Sequence, residues 1–185
     1  MESQRTVEDL QAALAAMPLA PRDVGAVEWL VRRPVPLERE VVEWAELCPE
    51  RGLVGDCWPS KPSKCTTDGS PHPEMQLTLM NAAVTKVIAG PKQDWAAAGD
   101  QIYVDFDLSE ASLPAGTRLQ LGTAVIEITA EEHLGCGKFH ERFGSAALRW
   151  VNGKERRGLR LRGVNAKVVQ AGKVAVGDQL RRIEA

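Results

Sequence analysis

Cys136 stands between two glycines in His133-Leu134-Gly135-Cys136-Gly137-Lys138-Phe139, the segment of this chain best suited to thiol or metal chemistry. Flanking glycines relieve Cβ crowding and let other backbone approach the sulfur. The alternation from Thr123 to Thr129 predicts a strand before it, and Lys138 to Phe143 predicts a short helix after it. A cysteine at such a junction faces a positive helix end and the Lys138 ammonium. Both favour thiolate, the form that attacks sulfur or ligates a soft metal. His133 either orients the thiol and takes its proton or closes a turn onto a backbone carbonyl. Lys138 and Arg142 fall one helical turn apart and either hold a phosphate or form a solvated face. Arg160 and Arg162 alternate with Leu159 and Leu161, which predicts a strand with both guanidiniums on one side. That side meets a ligand, pairs with acids such as Asp105 and Asp107, or meets water.

The charge distribution sharpens this picture. Residues 1–137 carry 11 Lys/Arg and 21 Asp/Glu, whereas residues 138–185 carry 12 and 4, so balances of −10 and +8 hide beneath a net −2. The basic excess begins beside Cys136. Either the two halves neutralise each other, or the basic part forms a site for an anionic small molecule near the thiol. Few aromatics interleave the basic stretch, which argues against nucleic acid. No apolar run reaches the roughly 18 residues of a membrane span. Met1 to Met17 lacks the basic-then-apolar order of a secretion signal, so cytoplasm is the default expectation. Cys48, Cys57 and Cys65 with His72 fit no standard zinc spacing and read as ordinary thiols. Asp56, Asp178 and Asn165 read as turn-holding residues.

These side chains must be carried by regular elements. Val7 to Met17 has helical spacing, with Thr6 as its cap and Pro18 and Pro21 beyond it. Residues 1–22 are therefore a peripheral helix and linker, and 23–185 the main domain. Strand signals run over Val24–Val31, Glu40–Leu47, Met75–Met80, Gln101–Asp107, Thr117–Leu121, Thr123–Thr129, Leu159–Arg162, Ala166–Gln170 and Asp178–Ile183. Ala82–Ala89, 138–143 and 145–151 read as helices, and Pro59–Pro73 as one long loop. Many short strands with glycine turns and few helices predict a mainly β protein, a closed or nearly closed barrel.

Four blocks together resemble one known family. They are Gly52-Leu53-Val54-Gly55-Asp56, then Val104 to Glu110 with Leu113 to Thr117 and Leu121 to Ala124, then His133 to Phe143, and finally Leu159 to Ala166 with Gly172 and Gly177-Asp178. In order and spacing they resemble the MOSC domain, the C-terminal module of molybdenum-cofactor sulfurases, over roughly Gly25 to Ile183. The resemblance implies a β-barrel like that of pyruvate kinase, with the family's cysteine at Cys136. It implies either a persulfide carrier for metal–sulfur cluster or cofactor formation, or a reductase of N-hydroxylated compounds in which Cys136 ligates molybdenum. Lys138, Arg142, Arg160 and Arg162 are then the expected cofactor-binding residues and His133 the expected helper of Cys136. The expected partner is a sulfur donor such as a cysteine desulfurase, or a separate electron-transfer protein. Pyridoxal phosphate comes only as a family association. A third reading, independent of the thiol, is a non-catalytic module whose basic half docks an acidic partner through Arg160 and Arg162.

Overall fold

The computed structural model describes residues 5–183. The elements run α1 (Val7–Ala15), β1 (Val24–Arg32), β2 (Glu40–Val41), β3 (Trp44–Cys48), β4 (Gly52–Leu53), β5 (Leu77–Asn81) and α2 (Ala82–Ala89). They continue with β6 (Ile102–Asp105), β7 (Arg118–Leu121), β8 (Ala124–Ile128), α3 (Gly137–Asn152), β9 (Val164–Gln170), β10 (Gly172–Ala175) and β11 (Gln179–Ile183). Strands β11, β7, β8, β9, β5, β6 and β1 lie side by side in that order, and β11 also pairs with β1. The sheet thereby closes into a seven-stranded barrel with no free edge around its circumference. Only β5 and β6 run parallel, joined through α2 and the 3-10 turn Lys92–Ala98.

Period-two alternation sorts the side chains into two cores. Leu79, Ile102, Val104, Leu119, Ile126 and Ala166 fill the barrel interior. Met80 and Tyr103 point outward from the same strands and are buried by Val84 and Trp95 and by Phe139 and Trp150 of α3. Tyr103 also donates its hydroxyl to the Trp95 carbonyl at 2.7 Å. Helix α1 starts with the reciprocal Thr6–Asp9 capping box and buries Leu10 in this outer core. Among the described residues no helix is long and apolar enough to cross a membrane.

Two strand predictions need correction. Glu40–Leu47 is two strands, not one: β2 adds to β1, while β3 leaves the barrel to pair with β10 and β4. Leu159–Arg162 is not a strand. A 3-10 turn covers Lys154–Leu159, and Arg160 takes left-handed backbone, φ 48 and ψ 48. Arg160 and Arg162 therefore do not share a strand face. The reversal is sharp because Gly163, at φ 99, brings its backbone against β5: a Cβ there would lie 2.0 Å from the Leu79 carbonyl oxygen. Leucine–arginine alternation mimics a strand, but only the glycine's steric freedom decides the local path.

Gly163→Ala combines left-handed strain with a backbone clash and should cost about 2–4 kcal/mol. Thermal denaturation should show a loss of roughly 5–15 °C in Tm.

Candidate functional site

Cys136 is the N-cap of α3, with extended backbone and an exposed side chain. Its loop is pinned by Asn152 at the far end of that helix, whose amide accepts from Gly135 N at 2.8 Å and donates to Gly135 O at 3.0 Å. The two flanking glycines differ in role. A Cβ at Gly135 would lie 2.8 Å from Leu148 Cδ1, whereas one at Gly137 would meet nothing within 4 Å. Close packing against α3 thus requires the first glycine but not the second. Gly144, at φ 79 and ψ 176, leaves helical geometry inside α3, so the span is two helices meeting at a kink, matching the predicted 138–143 and 145–151. The Cys136 sulfur makes no cap bond of strict geometry. Burial alone would raise its pKa, but the amides of Phe139 and Lys138 and the charge of Arg162 outweigh it and hold the thiol below its ordinary range.

That arginine is buried. Arg162 Nη1 reaches Asp100 Oδ2 at 2.5 Å and Nη2 the Ala98 carbonyl at 3.0 Å, and its guanidinium lies 5.0 Å from the centre of the Phe139 ring. Asp100, fully buried, holds His133 Nε2 at 2.7 Å through its other oxygen. Burial would raise the Asp100 pKa, yet the charge of Arg162 and the hydrogen bonds from His133 and Arg162 bring it below the usual carboxylate range. His133 is driven down by burial and by Arg162, so the ring is neutral near pH 7, with Nε2–H donating to Asp100. The partner of His133 is thus a carboxylate rather than a backbone carbonyl. The partner of Arg162 is Asp100 rather than Asp105 or Asp107; Asp107 takes Arg22 instead.

Around Asp100 the turn 97–100 collects guanidinium groups. Arg142 donates to Ala97 O at 2.8 Å, Arg162 to Ala98 O, and Arg33 to Gly99 O at 3.4 Å. Arg33 is also paired with buried Asp56, its Nε and Nη2 each 2.8 Å from a carboxylate oxygen. Asp56 therefore holds its turn through an ion pair as well as by accepting from Trp58 N. Arg39 Nη2 and Arg142 Nη1 lie 3.4 and 3.6 Å from the place a Gly99 Cβ would occupy. Neither has a carboxylate within salt-bridge distance among the described residues, and the buried Nε of Arg39 has no hydrogen-bond partner. Burial, then the repulsion of Arg142 and Arg33, lowers the Arg39 pKa. Four arginines thus answer to two carboxylates, and the excess positive charge lies at Arg39 and Arg142.

Of the residues marked in sequence, Cys136, Arg142, Arg162 and His133 belong to one neighbourhood. Lys138 is exposed on the first turn of α3. Arg160 lines one cavity with His133 and Arg162 but not with Cys136, and its Nη1 donates to Leu113 O at 2.5 Å. Sequence reasoning missed Arg33, Arg39 and Asp100. The first two lie in the acid-rich half of the chain, and Asp100 is joined to its partners only by the barrel. The one local signal was Gly99-Asp100, a turn dipeptide between an alanine run and a strand.

Asp100→Asn should leave Arg162 buried without a counter-charge and destabilise the fold by about 3–5 kcal/mol, read by chemical denaturation. His133 carries a folded pKa below its unfolded value, so it stabilises above pH of about 6.5 and that contribution fades as pH falls. The Tm of the wild type should therefore drop between neutral pH and about pH 5. In His133→Gln, which keeps a donor to Asp100, this component of the drop should vanish.

A family model of the MOSC domain matches residues 73–181. Among solved structures, the YuaD protein from Bacillus subtilis is similar at a TM-score of 0.63 and 17% identity, covering 88% of this chain and 97% of that one. YiiM from Escherichia coli is similar at a TM-score of 0.54 and 18% identity, over 91% of this chain and 71% of that one. YiiM from Geobacillus stearothermophilus is similar at 0.53 and 12%, over 90% and 76%. At such identities the likeness speaks for the fold alone. No curated protein sequence matches. The family model spans more than half of the chain and takes in β5 through β11, Asp100, the Cys136 loop and Arg162: the chain belongs to the MOSC domain family.

Proposed function

We propose that this protein binds a molybdenum cofactor, with Cys136 as thiolate ligand and Arg39 and Arg142 holding the anionic end of the pterin. The observation that carries the reading is the pair of guanidiniums without carboxylates at the Gly99 turn, whose neighbouring carbonyl also holds Arg162, the cation that lowers the pKa of the helix-capping thiol. Soft thiolate suits molybdenum, and arginine forks suit phosphate. The residues present therefore fit the group. When bound, the cofactor supplies two-electron reduction or oxygen-atom transfer. The chain's own work is electrostatic and positional. The first amides of α3 and the Arg162 charge favour the deprotonated sulfur, and the Phe139 ring lies against the same guanidinium. Asp100 fixes His133 in one tautomer, which leaves Nδ1 as an acceptor rather than a charged donor.

A persulfide carrier is the second reading, favoured by the exposure of Cys136 at the protein surface. It asks for an accessible thiolate and a partner, but gives no task to Arg39 and Arg142. Pyridoxal phosphate does not fit. Lys138 is exposed, and the half-buried Lys92 and Lys167 are tied to Glu28 and to Glu74, so among the described residues no desolvated lysine stands ready for a Schiff base.

Protein produced in a host that makes molybdenum cofactor should contain close to one molybdenum per chain, and Cys136→Ser should retain under about a tenth of it. Arg39→Gln with Arg142→Gln should weaken cofactor retention about tenfold or more while leaving the thiol reactive. Metal-free protein bearing a reducible sulfur-mass adduct, absent from Cys136→Ser, would replace this reading with the carrier.

A further inference from the structure

A cavity of about 200 Å³ lies between the loop 129–134, the turn around Arg160 and Glu110, and Cys136 does not line it. Its wall includes Arg162, 6% exposed, whose Nε has no hydrogen-bond partner although its terminal nitrogens are engaged by Asp100 and Ala98. An orphaned guanidinium N–H this deep is costly unless something else supplies the acceptor. Arg160, also in the wall, keeps left-handed backbone where glycine or asparagine would be unstrained. Its position is set by two bonds that lace the turn to the loop before Leu113: Glu110 N to Gly158 O at 2.8 Å, and Arg160 Nη1 to Leu113 O at 2.5 Å.

The charges around the cavity are only partly spent. Arg157 is paired with Glu132 at 3.0 Å, and Glu131 lies 3.8 Å from His72. Arg160 and Glu110 form no ion pair with each other or with another side chain among the described residues. One cation and one carboxylate without an ion-pair partner among the described residues thus line the same small space. A simple anion would meet the glutamates, and a simple cation would meet the arginines. We propose that this cavity binds a small zwitterion, of the size of an amino acid, with its carboxylate on Arg160 and its ammonium on Glu110. None of these residues is Cys136, Arg39 or Arg142, so the site stands whether or not the thiol holds molybdenum.

The test is a titration of the metal-free full chain by amide NMR with each of the twenty protein amino acids, and with propionate and ethylamine as the two halves of alanine. At least one amino acid should move the amides of Leu134, Gly163 and Val164 saturably, and each half-molecule should bind at least about tenfold more weakly. Arg160→Gly suits the left-handed turn and should keep the fold and Tm while losing the binding; Glu110→Gln should weaken it about tenfold. The proposal is overturned if no amino acid binds at about 10 mM, a concentration that would detect even millimolar affinity. It is equally overturned if propionate binds as well as the amino acid, or if Arg160→Gly binds unchanged.

Discussion

A buried guanidinium must have a counter-charge, and in this molecule that need organises everything near the thiol. Arg162 sits outside the barrel wall beneath the first turn of α3, where taking a charge from water costs several kcal/mol. Asp100 answers it at 2.5 Å and is itself completed by His133. The three residues come from three separate loops, so the ion pair ties the turn before β6, the thiol loop and the turn before β9 into one unit. A hydrophobic replacement could hold these loops as firmly. What it could not supply is positive potential beside Cys136.

That potential is built in layers. The helix end contributes the amides of Lys138 and Phe139, and Arg162 adds charge from below. The turn 97–100 then gathers Arg33, Arg142 and Arg39, with Asp56 neutralising the first of them. Positive φ at Gly99 lets this turn offer its carbonyls to several guanidiniums in succession. The barrel is what makes the gathering possible. Parallel pairing of β5 with β6 sends the chain out over the wall and back, and delivers Asp100 next to α3.

How much of this was legible in sequence depended on how local each signal was. The strands with clear alternation and glycine turns, the Ala82–Ala89 helix, and the thiol at a helix start were all readable from neighbours in the chain. The barrel class followed from their number and spacing, and the four-block resemblance named the family. Leu159–Arg162 misled because alternation reports periodicity, whereas the close contact of Gly163 with Leu79 is a tertiary constraint. Glu40–Leu47 misled because one valine-rich stretch serves two sheets. Asp100 and Arg39 stayed hidden for a plainer reason: their meaning comes from partners 62 residues away or across the turn at Gly99.

The claim on which the rest turns is that the α3 amides and the Arg162 charge together lower the pKa of Cys136. It is tested most directly by the pH dependence of Cys136 alkylation in a background with Cys48, Cys57 and Cys65 changed to serine. The comparison is with Arg162→Met/Asp100→Asn, which removes both buried charges together. An apparent pKa below the ordinary thiol range that rises in the double variant is the expected result. An ordinary thiol pKa, or one unmoved by the double substitution, would contradict it.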